Sequence, residues 1–220
     1  MNQELKPMEV KLWLFDITDP ECEKFIFNYQ GKVPTIDVNV STRSNNHLKM
    51  KIFSYAMRRI ILSNILQKPT YELSFYNNSN GKPSIYNHSI AFNISHSGQY
   101  WCMAVSQHDE VGVDIEVIKT RKYQDEIVRS YFLDTEQQVY FNAKKQEEKD
   151  AIFFMCWTEK EALAKLDGIS INDVLAKNNV SQKGLYLHQR QLFNSDLALC
   201  LASKKEVGAI YSINEAKLCN

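Results

Sequence analysis

Residues 111–118, VGVDIEVI, leave the backbone little choice. β-branched residues dominate, and apolar and acidic positions alternate. That period of two is the signature of a strand with two different faces. Side chains two apart on a strand point the same way. Asp114 and Glu116 therefore share a face, about 7 Å apart at a rise of roughly 3.3–3.4 Å per residue. Carboxylates that close repel one another unless a cation lies beside them. A chain with this strand must fold so that something positive reaches one side of it.

The chain has cations to offer, although its formal charge is zero. From Val38 to Tyr71 there is no Asp or Glu, while Arg43, Lys49, Lys51, Arg58, Arg59 and Lys68 are present. A solvated face usually mixes signs, so this run points to an anionic partner. The same cations would equally serve as partners for acids elsewhere in the fold. Non-specific nucleic-acid binding is not expected of a chain this neutral. There is no apolar run of about twenty residues, so no membrane span is expected. The first residues, MNQELKPMEVKLWLFDITDPE, do not read as a secretory signal. Cys22, Cys102, Cys156, Cys200 and Cys219 are scattered and mostly set in apolar surroundings. They read as free thiols in a reducing cytosol. No CxxC or HExxH occurs, so no zinc site is expected.

Along the chain, VKLWLFDI (10–17) alternates as a strand, and residues 47–66 carry apolar positions at helical spacing. NNSNGKPSI (77–85) is a turn cluster. YWCMAVS (100–106) and VGVDIEVI fit an antiparallel hairpin across QHDE. Residues 123–143 are helical with a break near Asp134. Residues 144–168 begin as a solvated charged segment and become an amphipathic helix stopped by Gly168. GLYLHQRQLF, LALCLAS and GAIYSIN close the chain as strands. The length suits one large domain or two small ones, and the mixed order makes the fold class α+β.

WTEKEALAK (157–165) is the second informative stretch. Trp157, Glu161 and Lys165 are spaced by four and stack on one helix face. A carboxylate and an ammonium one turn apart can be an ordinary ion pair. Thr158-x-x-Glu161 also matches a helix-capping box. Taken with the acidic strand and the basic run, another reading opens. Mg²⁺ takes oxygen ligands, typically a few carboxylates, water and substrate phosphate. Asp114, Glu116 and Glu161 could supply the carboxylates, and a phosphate-bearing substrate the rest.

VGVDIE followed by WTEKEALAK resembles the double signature of the 4′-phosphopantetheinyl transferases, apolar-Gly-apolar-Asp then Trp-Thr-x-Lys-Glu-Ala-x-x-Lys. NGKPSI is similar to that family's Gly-Lys-Pro motif, and FNISHSGQYWCMAV to its Asn-x-Ser-His-Ser motif. The four stretches run in order from residue 80 to residue 168. The length is similar to that of the larger, surfactin-synthetase-activating type. The resemblance implies a pseudo-dimer of two similar α/β subdomains with the active site in the cleft between them. Residues 1–108 would contact the phosphates and adenine of coenzyme A. Residues 109–220 would carry the metal-binding carboxylates and dock the carrier.

It also implies a reaction, transfer of the 4′-phosphopantetheine arm from coenzyme A to a serine of an apo acyl or peptidyl carrier protein. Asp114, Glu116 and Glu161 would hold Mg²⁺, Lys165 would face the attacked phosphate, and Glu161 or Glu136 would take the serine proton. Ser95 and His96 would meet a coenzyme A phosphate. Lys82 and Pro83 would line the adenine and 3′-phosphate pocket, and Lys160 falls at the family's other lysine position. Where the family has an arginine-rich run, this chain offers Arg43, Lys49 and Lys51. Ile127, Val128, Tyr131 and Phe132 have the spacing of either a docking face or core. The enzyme is expected to be a cytoplasmic monomer with no nucleic-acid or membrane partner. The alternatives are an inactive coenzyme-A-binding or carrier-docking relative and a metal-dependent phosphohydrolase.

Overall fold

The computed structural model describes residues 9–29, 45–77, 81–107, 110–176, 186–192, 196–206 and 209–213. In chain order the elements are β1 (Glu9–Asp16), α1 (Pro20–Tyr29), α2 (Asn45–Leu66), a 3-10 turn (Thr70–Glu72), β2 (Phe75–Asn77), β3 (Pro83–Ile85), β4 (Ile90–Ser97) and β5 (Tyr100–Gln107). There follow β6 (Val111–Val117), α3 (Gln124–Tyr131), α4 (Asp134–Asn142), α5 (Gln146–Asp167), α6 (Ile171–Ala176), β7 (Tyr186–Leu192), β8 (Leu197–Ser203) and β9 (Ala209–Ile213). Strands and helices are mixed in both halves, as expected. Among the described residues no helix is long and apolar enough to cross a membrane.

Two main sheets form, ordered β4-β5-β1-β9 and β6-β8-β7, with β2 and β3 as a small ribbon. The hairpin expected between residues 100–106 and 111–118 does not form. Both edges of β5 are occupied, one by β4 and one by β1, both antiparallel. β6 therefore cannot add beside β5 and starts the second sheet with β8. The last strand, β9, returns to the first sheet and lies parallel to β1. The expected boundary between residues 108 and 109 lies outside the described residues.

Period two on the strands sorts the apolar residues into layers. Trp13, Phe15, Trp101, Met103 and Val105 face α2 and pack on Met50, Phe53, Met57 and Ile61. Leu12, Leu14, Cys102 and Ala104 face the other way and meet Val113, Ile115, Leu199 and Leu201 of the second sheet. Beyond that sheet, Ala198, Cys200 and Ala202 pack toward α5 through Phe153, Phe154, Ala162 and Leu166. The order is helix, sheet, sheet, helix. β1 and β8, between two layers, are buried along nearly their whole length.

α5 starts at Gln146, so the charged stretch before Phe153 is its first turns rather than a solvated tail. Thr158 consequently sits in mid-helix. Its hydroxyl donates to the carbonyls of Phe154 and Met155, and the capping-box reading is overturned. Gly168 ends the helix as expected, with φ 65° and its N–H on the carbonyl of Ala164. α1 and β4 have no counterpart in the sequence reading.

Candidate active site

β6 turns Gly112, Asp114 and Glu116 toward α5. The helix comes unusually close there, since a Cβ on Gly112 would lie 2.0 Å from the carbonyl oxygen of Ala162 and 2.5 Å from the amide nitrogen of Leu166. The missing side chain lets two backbones touch. That contact sets Lys165 and Glu161, on the same helix, against the acidic face of the strand. Lys165 Nζ lies 2.6 Å from Asp114 Oδ1 and also donates to Ser95 Oγ at 2.9 Å. The cation demanded by the acidic strand is therefore present within the chain itself.

The electrostatics bear this out. Burial raises the Asp114 carboxyl above its ordinary range, and Lys165 and Ser95 pull it back. Glu116 is raised mainly by burial, against the hydroxyl of Ser97. Glu161 is raised by burial first, then by Asp114 and Glu116. Arg121 lowers both glutamates; sequence reasoning did not single it out. The three acids thus feel one another. Among the described residues, however, no three His, Cys, Asp or Glu side chains are gathered closely enough to hold a metal ion. Lys165 and Ser95 share Asp114 Oδ1, and Ser97 holds Glu116 Oε2 at 2.6 Å. Asp114 Oδ2 is buried and has no hydrogen-bond partner. An orphaned carboxylate oxygen beside two more carboxylates fits a hard cation that prefers oxygen ligands.

His96 lies on the opposite face of β4 from Ser95 and Ser97, by strand alternation. It lines a pocket of about 250 Å³ with His47, Met50, Lys51, Ser54, Tyr55 and Arg58. Burial lowers the His96 pKa, and the nearby charges of Lys165 and His47 lower it further. Arg58 stacks over the rings of Tyr55 and Phe75 at 5.3 and 4.9 Å. His47, Lys51, Tyr55 and Arg58 recur at one helical face of α2, and this stripe was missed. Lys49 is two residues from Lys51 and pairs with Glu23 of α1 at 2.6 Å. It does not line the pocket. Arg43 lies outside the described residues.

Other expected site residues are engaged elsewhere. Lys82 is buried, with its ammonium on Glu110 and on the carbonyls of Val111 and Leu166. It ties the Gly-Lys-Pro turn to the start of β6 and the end of α5. Pro83 begins β3. Glu136 and Lys160 pair with each other, both carboxylate oxygens 2.7 Å from the ammonium. Glu136 Oε2 also accepts the Leu133 N–H. Val128 and Phe132 are core, and Ile127 packs against them. Of the four proposed docking residues only Tyr131 is exposed, at 46 %. Cys22, Cys102, Cys156 and Cys200 are free thiols, and burial pushes the Cys102 and Cys156 thiols up to about 12. The Cys102 and Cys156 thiols are therefore not nucleophiles at neutral pH. Cys219 lies outside the described residues.

With the site laid out, comparison with known proteins is specific. Residues 110–201, which include the acidic strand and α5, match the model of the 4′-phosphopantetheinyl transferase superfamily. The chain is 31 % identical over 148 residues to the 4′-phosphopantetheinyl transferase AcpT of Salmonella typhimurium, covering 67 % of this chain and 75 % of that protein. It is 29 % identical over 232 residues to the 4′-phosphopantetheinyl transferase gsp of Aneurinibacillus migulanus, covering 94 % and 93 %. Similarity to the 4′-phosphopantetheinyl transferase HetI of Nostoc is 27 % over 179 residues, 77 % and 73 %. The chain belongs to the 4′-phosphopantetheinyl transferase superfamily.

Proposed function

We propose that this protein is a transferase that moves the 4′-phosphopantetheine arm of coenzyme A to a serine of an apo-carrier protein. The observation that carries the reading is the meeting of Asp114, Glu161 and Lys165, from β6 and α5, within the stretch matched by the family. The serine oxygen forms a bond to the phosphorus that bears the arm. The bond from that phosphorus to the leaving adenosine 3′,5′-bisphosphate breaks, and the serine proton is lost. Lys165 stabilises the added negative charge on the attacked phosphate. Asp114, with its orphaned Oδ2, Glu116 and Glu161 would hold Mg²⁺. Bound there, the ion would supply charge neutralisation for the diphosphate.

A serine hydroxyl needs a base to become a nucleophile. Glu161 lies with Asp114 and Glu116, but holding Mg²⁺ would lower its carboxyl and weaken it as a base. Glu136 would first have to release Lys160. The pocket on α2 takes the phosphates of coenzyme A through His47, Lys51, Arg58 and His96. Ser95 adjoins it through the neighbouring position on β4, while Lys82 and Pro83 hold the Gly-Lys-Pro turn. The halves 1–108 and 109–220 form the two subdomains. A sheet and a helix in each support that division, and β9 crosses back over it. With both halves on one chain, the protein would work as a monomer.

The direct test is incubation with apo-carrier, coenzyme A and Mg²⁺. A gain in carrier mass of one phosphopantetheine is expected. An unchanged carrier would mean an inactive relative, and release of the arm to water would mean a hydrolase. His96→Ala is expected to raise the KM for coenzyme A roughly ten- to hundredfold, the loss of one hydrogen bond to a charged group, with a smaller change in kcat. An unchanged KM would remove His96 from the phosphate site.

A further inference from the structure

β4 and β6 lie at the edges of different sheets, yet they run side by side. The outer edge of β6 has no strand partner among the described residues. Its inward N–H groups are buried at Val113 and Ile115 and partly buried at Val117, and they need acceptors. Side chains of β4 supply them, in register and every second residue. Asn93 Oδ1 accepts the Val113 N–H at 2.9 Å, Ser95 Oγ the Ile115 N–H at 3.3 Å, and Ser97 Oγ the Val117 N–H at 3.0 Å. The serine protons then go to the acids. Ser95 Oγ donates to Asp114 Oδ1 at 2.7 Å, and Ser97 Oγ to Glu116 Oε2 at 2.6 Å.

We propose that Ser97 is a positioning residue, which aims the Glu116 carboxylate while pinning the strand that carries it. This rests on the reading of Glu116 as a metal ligand. One hydroxyl has one proton to donate and lone pairs to accept. Ser97 uses the proton to orient the carboxylate and a lone pair to fix the backbone one residue further on. Ser95 repeats the device one step along, with Lys165 as an additional donor. Asn93 completes the ladder on the backbone side alone. Strand alternation sends His96 to the pocket on α2 and its two serine neighbours to the carboxylates. The Asn-x-Ser-His-Ser stretch thus serves two layers at once.

The test compares Ser97→Ala and Ser97→Thr with the unaltered full chain. Mn²⁺ affinity is read by electron paramagnetic resonance with coenzyme A present, and hydrogen exchange is read at the Val117 amide. Loss of a group that orients a metal ligand typically weakens binding ten- to hundredfold. Ser97→Ala is expected to show that loss, with faster exchange at Val117 and a fall in kcat larger than any change in the KM for coenzyme A. Ser97→Thr keeps the hydroxyl and restores all three. Mn²⁺ binding by Ser97→Ala equal to that of the unaltered protein overturns the proposal, provided Asp114→Asn loses Mn²⁺. If the unaltered protein binds no Mn²⁺, the metal reading falls by itself. The role of Ser97 is then decided by Val117 exchange and kcat, and no change in either overturns it.

Discussion

Gly112→Ala is expected to lower the melting temperature by roughly 6–12 °C. The new methyl carbon would sit 2.0 Å from the carbonyl of Ala162 and 2.9 Å from the Cα of Leu166. Both obstacles are backbone of α5, so no rotamer change makes room. Overpacking costs about 1–3 kcal/mol where side chains can adjust; a backbone clash belongs at or above the top of that range. For a chain of this size each kcal/mol lowers the melting temperature by roughly 2–4 °C. The only relief is to lift α5 from β6, which also draws Glu161 and Lys165 away from Asp114. Transfer activity of the surviving folded fraction should fall with the stability. Thermal unfolding followed by circular dichroism checks this, and a melting temperature equal to that of the unaltered protein would show that the strand and helix are not in backbone contact.

That contact shows what the sequence disclosed and what it hid. VGVDIE was legible as a strand because period two is local, and the shared face of Glu161 and Lys165 because four residues make one helical turn. Neither pattern says that the two elements touch. The link is made by a glycine whose missing atom matters only after folding. The misplaced hairpin has a similar cause. YWCMAVS and VGVDIEVI are both good strands, but β1, nearly ninety residues earlier, already occupies the edge of β5. On α2 the basic run from Val38 to Tyr71 does not say which cations share a face; Lys51 and Arg58, two turns apart, are the pair that meets in the pocket. Lys82 shows a further limit. The resemblance gives Lys82 a phosphate-pocket role, and its motif does not disclose that the ammonium meets Glu110 and two carbonyls.

Asp114→Asn should cut turnover by two to three orders of magnitude and leave the fold in place. The substitution keeps the shape, and Asn Oδ1 can still accept from Ser95. It removes the charge that holds Lys165 at 2.6 Å and turns the orphaned Oδ2 into a donor that repels a cation. A single preorganised electrostatic contact at a reacting phosphate is worth about 10²–10³ in rate, and this change disturbs two. Stability responds less. Burial already disfavours the ionised form of Asp114, so its neutralisation relieves desolvation as well as losing an ion pair. Lys165 is 28 % exposed along its side chain, so its freed ammonium can turn toward water rather than remain buried alone. A shift of only a few degrees in melting temperature is expected beside the loss of transfer. Turnover within tenfold of the unaltered enzyme would separate Asp114 from the chemistry and leave the acidic strand as a structural partner of Lys165.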